Sequence, residues 1–544
     1  MEVRKSGAFP TPPFPMSDEN LKIRAAKNVA ASWAGLFVHA AVGFFLSPFI
    51  LHRLGDEAFG VWILVFSVTG YYGLLDLGIR QSVVRYVARF TATHDEDSLT
   101  RFVNTCISTY ALIALLVLLA TGFCAWYLPA LFKIPPGLLR TARTLVLLVG
   151  GGVALTFPLS VFAGILSGLQ DFFRPHTAQV VFSLLRGLLI VLILHLGAGL
   201  LGITLVTVIL NVLSYVTLIL MVPHTLHLRL GVKYIDLPMW RSVIGYSSVA
   251  FLVVLAEKLR FQSDAVVIGM FVSSGAITYF AIGSKLVEYS GLVVQGLSQI
   301  FTPMSSQLEA TGDLDRLRRV FVMGNRACAL TIFPICATLI NFGNPIIALW
   351  VGVKYQASYL ILVLLLVPKT LYLAQASSVK ILLGIGRHRR LAAVLVLEGV
   401  ANLLLSLVLV RRMGIVGVAW GTALPLLCTS LFFLPRHLCC QLNVPLFTYL
   451  RQAYLLPVVL CAPFTAVLLS FRLLFQAHSY SDLFLQVGAG GAVYLAELFW
   501  LFRSYVTTTG RRLGEVRGCN HLPYGDGAPW PCQKLDRPQR AANS

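Results

Sequence analysis

Ala92-Thr-His-Asp-Glu-Asp-Ser-Leu-Thr-Arg101 returns 218 residues later as Ala310-Thr-Gly-Asp-Leu-Asp-Arg-Leu-Arg-Arg319, with six of the ten positions identical. The same ungapped offset lays Ala111-Leu112 over Ala329-Leu330 and Ala130-Leu131-Phe132 over Ala348-Leu349-Trp350. It also sets Ala58–Trp62 against Ala276–Phe280. A register that holds through a polar loop and on into an apolar block is not explained by shared hydrophobicity. The chain reads as an internal duplication.

What is duplicated follows from the blocks on either side. The chain has 544 residues, of which 57% are hydrophobic and only 12% charged, and its mean hydropathy is +0.79. A soluble domain carries about 25% charged residues. The apolar residues come in blocks of about twenty, and at 1.5 Å rise each such a helix spans a hydrocarbon core of about 30 Å. We place about fourteen membrane helices, near 30–51, 59–83, 103–127, 141–168, 178–197, 199–222, 244–270, 276–302, 323–343, 356–379, 389–410, 413–435, 453–473 and 483–502. The blocks are too long and continuous for barrel strands, and in lipid only helices otherwise satisfy every backbone group. The fold class is therefore an all-α polytopic membrane protein.

Each repeat holds six helices, an even number, so both halves enter the membrane the same way round. Parallel halves are a transporter architecture with a site between the bundles. The expected parts are an N-terminal segment 1–28, a first bundle 29–222, a linker 223–243, a second bundle 244–436, an appended helix pair 450–502 and a disordered tail 503–544. The first apolar block is too long for a signal-peptide core and reads as a retained helix.

The net charge of +20 sits in short loops rather than on one face, which argues against a nucleic-acid partner. Basic residues cluster after even-numbered helices, as at Arg85 and Arg89, Arg229 and Lys233, Arg316, Arg318 and Arg319, and Arg387 to Arg390. By the positive-inside rule both termini are cytoplasmic. The ten cysteines are scattered, mostly in apolar stretches. Cys519 and Cys532 flank His521 in the tail, but no metal or cofactor is expected there.

Ionisable residues deep in a membrane cost about 2.5 kcal/mol or more and so invite functional readings. Several have partners at helical spacing: Asp76 with Arg80, Lys285 with Glu288, and a Glu257–Arg260–Asp264 ladder. These can be self-neutralised pairs or working groups. Lys258, Lys369 (after Pro368) and Arg186 have no such partner and are candidates to line a wet cavity. Glu398 can carry a coupling ion or bridge to Lys369 on the preceding helix. Trp62, Trp126, Tyr127 and Trp350 read as interfacial anchors. Gly150–Gly152 permits close helix approach or a bend.

Three motifs carry a family resemblance. Leu54-Gly-Asp-Glu-Ala-Phe-Gly-Val-Trp62, Gly70-Tyr-Tyr-Gly-Leu-Leu-Asp-Leu-Gly78 and Arg85-Tyr-Val-Ala88 resemble the polysaccharide transporter family, oligosaccharide-lipid flippases in the superfamily that also holds the multidrug extruders. Gly168-Leu-Gln170, Asp264-Ala-Val-Val-Ile-Gly269, Glu398, Asn402 and Gly414–Thr422 add to it. The resemblance covers roughly residues 25–440. It implies a bacterial inner-membrane protein moving a polyprenyl-diphosphate-linked oligosaccharide by alternating access, for O-antigen, exopolysaccharide or capsule. Its partners would be that lipid-linked sugar, membrane lipids, and H+ or Na+ as coupling ion. Lys258, Lys369, Arg260, Arg80, Arg186 and Lys285 are the substrate-binding candidates; Glu398, Asp76, Glu257, Asp264 and Glu288 are the ion-coupling candidates.

Two other readings stay open. Drug efflux favours an acidic cavity, whereas the charges here that lack a helical partner are mainly basic. A membrane glycosyltransferase or polymerase needs a catalytic group on a sizeable loop, and the short external connections show neither paired carboxylates nor a phosphate-cradling glycine loop.

Overall fold

The computed structural model describes residues 18–171, 173–223, 226, 228–236, 238–240, 255, 258–260, 262–387, 389–475 and 479–518. Helices account for nearly all of it. The first bundle comprises α1 (Asp18–Leu54), α2 (Asp56–Gly70), a 3-10 turn at Tyr71–Asp76, α3 (Ile79–Ala92), α4 (Glu96–Leu131), α5 (Pro136–Gly168), α6 (Phe173–His195) and α7 (Gly199–Leu220). The second comprises α8 (Ser263–Phe271), α9 (Ser274–Ser298), α10 (Phe301–Ala310), α11 (Leu314–Trp350), α12 (Ser358–Leu373), α13 (Ala376–Gly384), α14 (Arg389–Cys428) and α15 (Leu434–Leu442). Beyond the repeats come α16 (Leu446–Leu474) and α17 (Tyr480–Gly518).

Ten of these helices are long and apolar enough to cross a membrane, eleven if the pair α12 and α13, bent by 43°, is one span. One of the ten, Arg390–Leu442, is two helices joined at Gly414, whose φ of 57 and ψ of −135 break the helix. Counting that break, and α9, is compatible with about fourteen spans. Lipid-facing rows are apolar throughout; along α4, Leu112, Leu115, Leu116, Leu119 and Phe123 are all exposed.

The duplication is written into the backbone. Asp95 caps α4, its carboxylate accepting from the Ser98 N–H at 3.0 Å, and Asp313, 218 positions on, caps α11 from the Arg316 N–H at 3.0 Å. The preceding turns match bond for bond. Thr93 N–H donates to Arg89 O and Thr311 N–H to Gln307 O, while His94 and Gly312 both take positive φ, at 54 and 71. A second pair of turns repeats at an offset of 216, with Gln170 and Gly386 at φ 57 and 69.

Four expectations change. The helix expected over 59–83 is broken at Tyr71–Gly78, where Leu77 and Gly78 both turn left-handed. Residues 18–28 already belong to α1 rather than to a leading segment. The tail expected from 503 begins as helix, since α17 runs to Gly518. Finally, the two bundles do not separate as compact units: residues 1–490 form one unit and 491–544 another. Glu257, Arg241, Cys519, His521 and Cys532 lie outside the described residues.

The bundles hold together because α2 packs on α9, with α1 and α11 alongside. Lipid is as apolar as leucine, so association depends on close packing and polar contacts rather than on hydrophobic burial. Gly60 supplies the close packing, for a Cβ there would fall on the Ser274 carbonyl. Polar contacts gather at the end holding the α1–α2 turn. Asp56 receives Lys354 at 2.5 Å and the Tyr355 hydroxyl, while its backbone carbonyl accepts from Thr278 at 2.6 Å. Lys133 donates to Phe271 O at 2.7 Å, and Trp350 Nε1 to Phe44 O at 2.8 Å. That end of the seam is closed.

Candidate functional site

Between the bundles lies a cavity of about 240 Å³, walled by α1, α2, α9 and α11. Its charged lining is His39, Lys285 and Glu288; its aromatic lining is Phe59, Trp62, Tyr289 and Trp350. The sequence explains the placement: Lys285 and Glu288 are one turn apart on α9, and their side chains pair at 2.7 Å with about half of each exposed. Arg186 on α6 reaches the same place, its Nη2 lying 3.5 Å from His39 Nδ1 and from Ser183 Oγ. Two candidate cations, Arg186 and Lys285, thus converge on the inter-bundle cavity from opposite halves.

The remaining cations meet elsewhere. Arg260 and Lys369 lie against one ring, Tyr372, with Arg260 Cζ 4.5 Å and Lys369 Nζ 5.5 Å from its centroid. Cations are attracted to the negative face of such a ring. Lys258 belongs to the seam. With the Gln262 amide turned to satisfy both ends, its oxygen accepts from Lys258 Nζ at 3.0 Å and its nitrogen donates to Gly70 O at 3.3 Å. A Cβ on Gly73 would sit 3.8 Å from that same Nζ. The broken helix of the first bundle therefore rests against Lys258 of the second.

Three expected pairings are corrected. Glu398 does not bridge to Lys369; its Oε1 lies 2.8 Å from Arg260 Nε, with both side chains nearly fully buried. The Arg260–Asp264 rungs of the α8 ladder do not form either. Arg260 turns to Glu398, and Asp264 accepts from Thr422 Oγ1 at 3.0 Å. Asp76 and Arg80 lose their one-turn relation because the helix breaks between them; Asp76 instead accepts from the Tyr110 hydroxyl and from the backbone at Gly78 and Arg80, and Arg80 is exposed.

These carboxylates form a polar core inside each bundle. In the second, Thr422 also reaches Asn402 Oδ1 at 3.4 Å, and Asn402 Nδ2 donates to Arg260 O at 3.2 Å. In the first, Asp76 sits at the N-terminal end of α3, where helix N–H groups favour a negative charge. Among the described residues no three His, Cys, Asp or Glu side chains are arranged to hold a metal.

Sequence reasoning missed His39, Tyr372, Gln262 and Tyr110, and misplaced Trp62 and Trp350. Trp62 and Trp350 line the cavity rather than anchoring at the lipid boundary; Trp126, at 76% exposure, remains on the outer surface. A histidine in the middle of the first apolar block was the one available signal for His39. Nothing local marks Tyr372, because its role comes from an arginine 112 residues earlier.

Comparison with known proteins agrees with this geometry. The family model described as "Polysaccharide biosynthesis protein" matches residues 50–360. The "Uncharacterized membrane protein EpsK" of Bacillus subtilis is 21% identical over 436 residues, covering 75% of this chain and 82% of that one. The "Probable low-salt glycan biosynthesis flippase Agl15" of Haloferax volcanii is 21% identical over 254 residues, covering 47% and 53%. Among solved structures, "Lipid II flippase MurJ, inward closed conformation" superposes with a TM-score of 0.69 at 15% identity, over 89% of this chain and 100% of that one. That likeness concerns the fold.

Proposed function

We propose, from the fact that this chain belongs to the polysaccharide biosynthesis protein family, that it is a flippase moving a polyprenyl-diphosphate-linked oligosaccharide across the bacterial inner membrane by alternating access, for surface polysaccharide. The observation that carries the reading is the cavity between the two bundles, with Lys285 in its wall and Arg186 held to His39 beside it. A diphosphate entering hydrocarbon loses the water that stabilised its charge. Cations in a wet cavity restore that stabilisation, and arginine suits phosphate in particular because its fork of N–H groups matches two oxygens. Lys258, at the seam beside the broken helix, is placed to meet the same cargo when the bundles rock. Lys369 and Arg260, gathered on Tyr372, add positive charge to the second bundle.

In this reading both termini are cytoplasmic, since the basic loops then face inward. The closed end at the α1–α2 turn is external, and the cargo enters from the basic-loop side. Coupling to H+ or Na+ would use the buried carboxylates. Asp264 is the stronger candidate, because Glu398 already has a counter-charge in Arg260.

The test is transport by purified protein in vesicles loaded with a lipid-linked oligosaccharide. Arg186→Gln with Lys285→Gln should abolish movement, and so should Lys258→Ala with Lys369→Ala. Unimpaired transport by either double variant removes those residues from the site. Movement of cationic dyes in place of the lipid-linked sugar would instead favour drug efflux.

A further inference from the structure

Trp62 presents an unexplained donor. Its indole Nε1 is buried and has no hydrogen-bond acceptor among the described residues, yet the side chain lines the cavity between the bundles. Buried polar groups in folded proteins almost always have partners, so an orphaned one calls for a reason. The neighbouring tryptophan shows the contrast, because Trp350 Nε1 is satisfied by Phe44 O and its ring is stacked on Phe44 at 4.9 Å. Trp62 is held by tilted and edge contacts with Phe59 and Phe66, at 5.7 and 5.6 Å, which fix the ring while leaving the N–H unmet.

The lining has a direction. His39 on α1 and Lys285 and Glu288 on α9 lie toward the middle of their helices. Phe59 and Trp62 sit in the first two turns of α2, next to the closed α1–α2 end. Charge therefore lies deeper toward the membrane centre, and aromatic surface with a spare donor lies beyond it. We infer that this outer pocket, built around Trp62, is a recognition subsite for a sugar residue of the cargo, distinct from the cations that meet its diphosphate. This rests on the flippase reading above and adds to it the part of the headgroup that each wall contacts.

The chemistry fits a pyranose. Such a ring has an apolar C–H face that packs on an aromatic side chain and an equator of hydroxyls. Those hydroxyls accept from the Trp62 N–H and the Lys285 ammonium, and donate to the Glu288 carboxylate. At about 30 Å³ per water the cavity holds about eight waters' worth of space, enough for one sugar residue and far short of a whole oligosaccharide. A headgroup arriving from the basic-loop side would lead with sugar and trail its diphosphate, which leaves the phosphates level with His39, Arg186 and Lys285.

The experiment compares probes rather than the unidentified cargo. Binding of farnesyl diphosphate to the purified full-length protein is measured beside that of farnesyl-diphosphate-linked glucose, galactose and N-acetylglucosamine. At least one glycosylated probe should bind about fivefold or more tightly than the bare diphosphate, the worth of one or two added hydrogen bonds. Trp62→Phe keeps the ring and its packing but removes the N–H, so this ratio should fall toward one. Glu288→Gln, a second variant on another helix, should lower the ratio too. Equal affinity for all four probes, or a ratio that neither variant changes, overturns the sugar subsite while leaving the flippase reading standing. Failure to bind even farnesyl diphosphate would bring down both.

Discussion

Arg260 and Glu398 meet at 2.8 Å in the interior of the second bundle, with side-chain exposures of 6% and 2%. They are 138 residues apart and lie on different helices. The contact is a pairing of charge more than an aligned hydrogen bond, for neither the Arg260 Nε–H nor the Glu398 oxygens find well-directed partners in one another. Such a pair stabilises little against an apolar replacement of both members, but is costly to break from one side.

Glu398→Ala should therefore destabilise the protein by about 3–5 kcal/mol, by leaving a buried guanidinium without its counter-charge. The double replacement Arg260→Met with Glu398→Leu should recover most of that loss. Thermal unfolding in detergent measures both. A double variant as unstable as the single one would show that the pair does not act as a unit.

The closed end of the seam should open when its latch is cut. Lys354→Met removes the ammonium that Asp56 holds at 2.5 Å. Spin labels at Gly137→Cys in the first bundle and Val353→Cys in the second should report a severalfold larger population of long distances. Unchanged distributions would mean that the latch carries no part of closure.

The same latch sets a pH expectation. The hydrogen bond to Asp56 raises the Lys354 pKa above its ordinary value. A raised lysine contributes its full attraction below the ordinary value of about 10.4 and loses it only as pH climbs through the raised one. The spin-label distances should stay constant from pH 7 to 10 and lengthen only in stronger alkali.

Gly60→Val tests the packing rather than the charge. A side chain at 60 meets the Ser274 backbone, which cannot yield as a flexible side chain would. The bundles should then fail to close at this end, with transport lost while membrane insertion persists. Full transport would show that α2 and α9 need not approach this closely.

The paired caps make a last prediction. The Ser98 N–H, by donating to Asp95, holds that carboxylate below its usual pKa. Its contribution is therefore present above the ordinary value of about 3.9 and lost as pH falls through the lowered one. Asp95→Ala should speed amide exchange over residues 98–101, and Asp313→Ala should do the same over 316–319. The two effects should add when combined, as independent sites do.

Much of this was legible in the chain itself. The recurrence of Ala92–Arg101 at Ala310–Arg319 disclosed the duplication, and its aspartates proved to be the caps that start α4 and α11. Lys285 with Glu288 was readable because a continuous helix makes spacing a reliable guide to contact. Asp76 with Arg80 was misread for the converse reason: two left-handed residues, Leu77 and Gly78, intervene, and spacing loses its meaning across a break.

Sequence alone determined that this protein lies in a membrane, that it is two like-oriented halves, and which polar residues the membrane would have to accommodate. Those are properties of composition, block length and local periodicity, and each is settled within a few turns of helix. Tertiary structure decided which charges neutralise one another and which line a cavity. Arg260 chose Glu398, Asp264 chose Thr422, and Trp62 came to face the seam beside His39 and Lys285. Partnership inside lipid is fixed by which helices pack side by side, and no spacing along one helix encodes the identity of its neighbour.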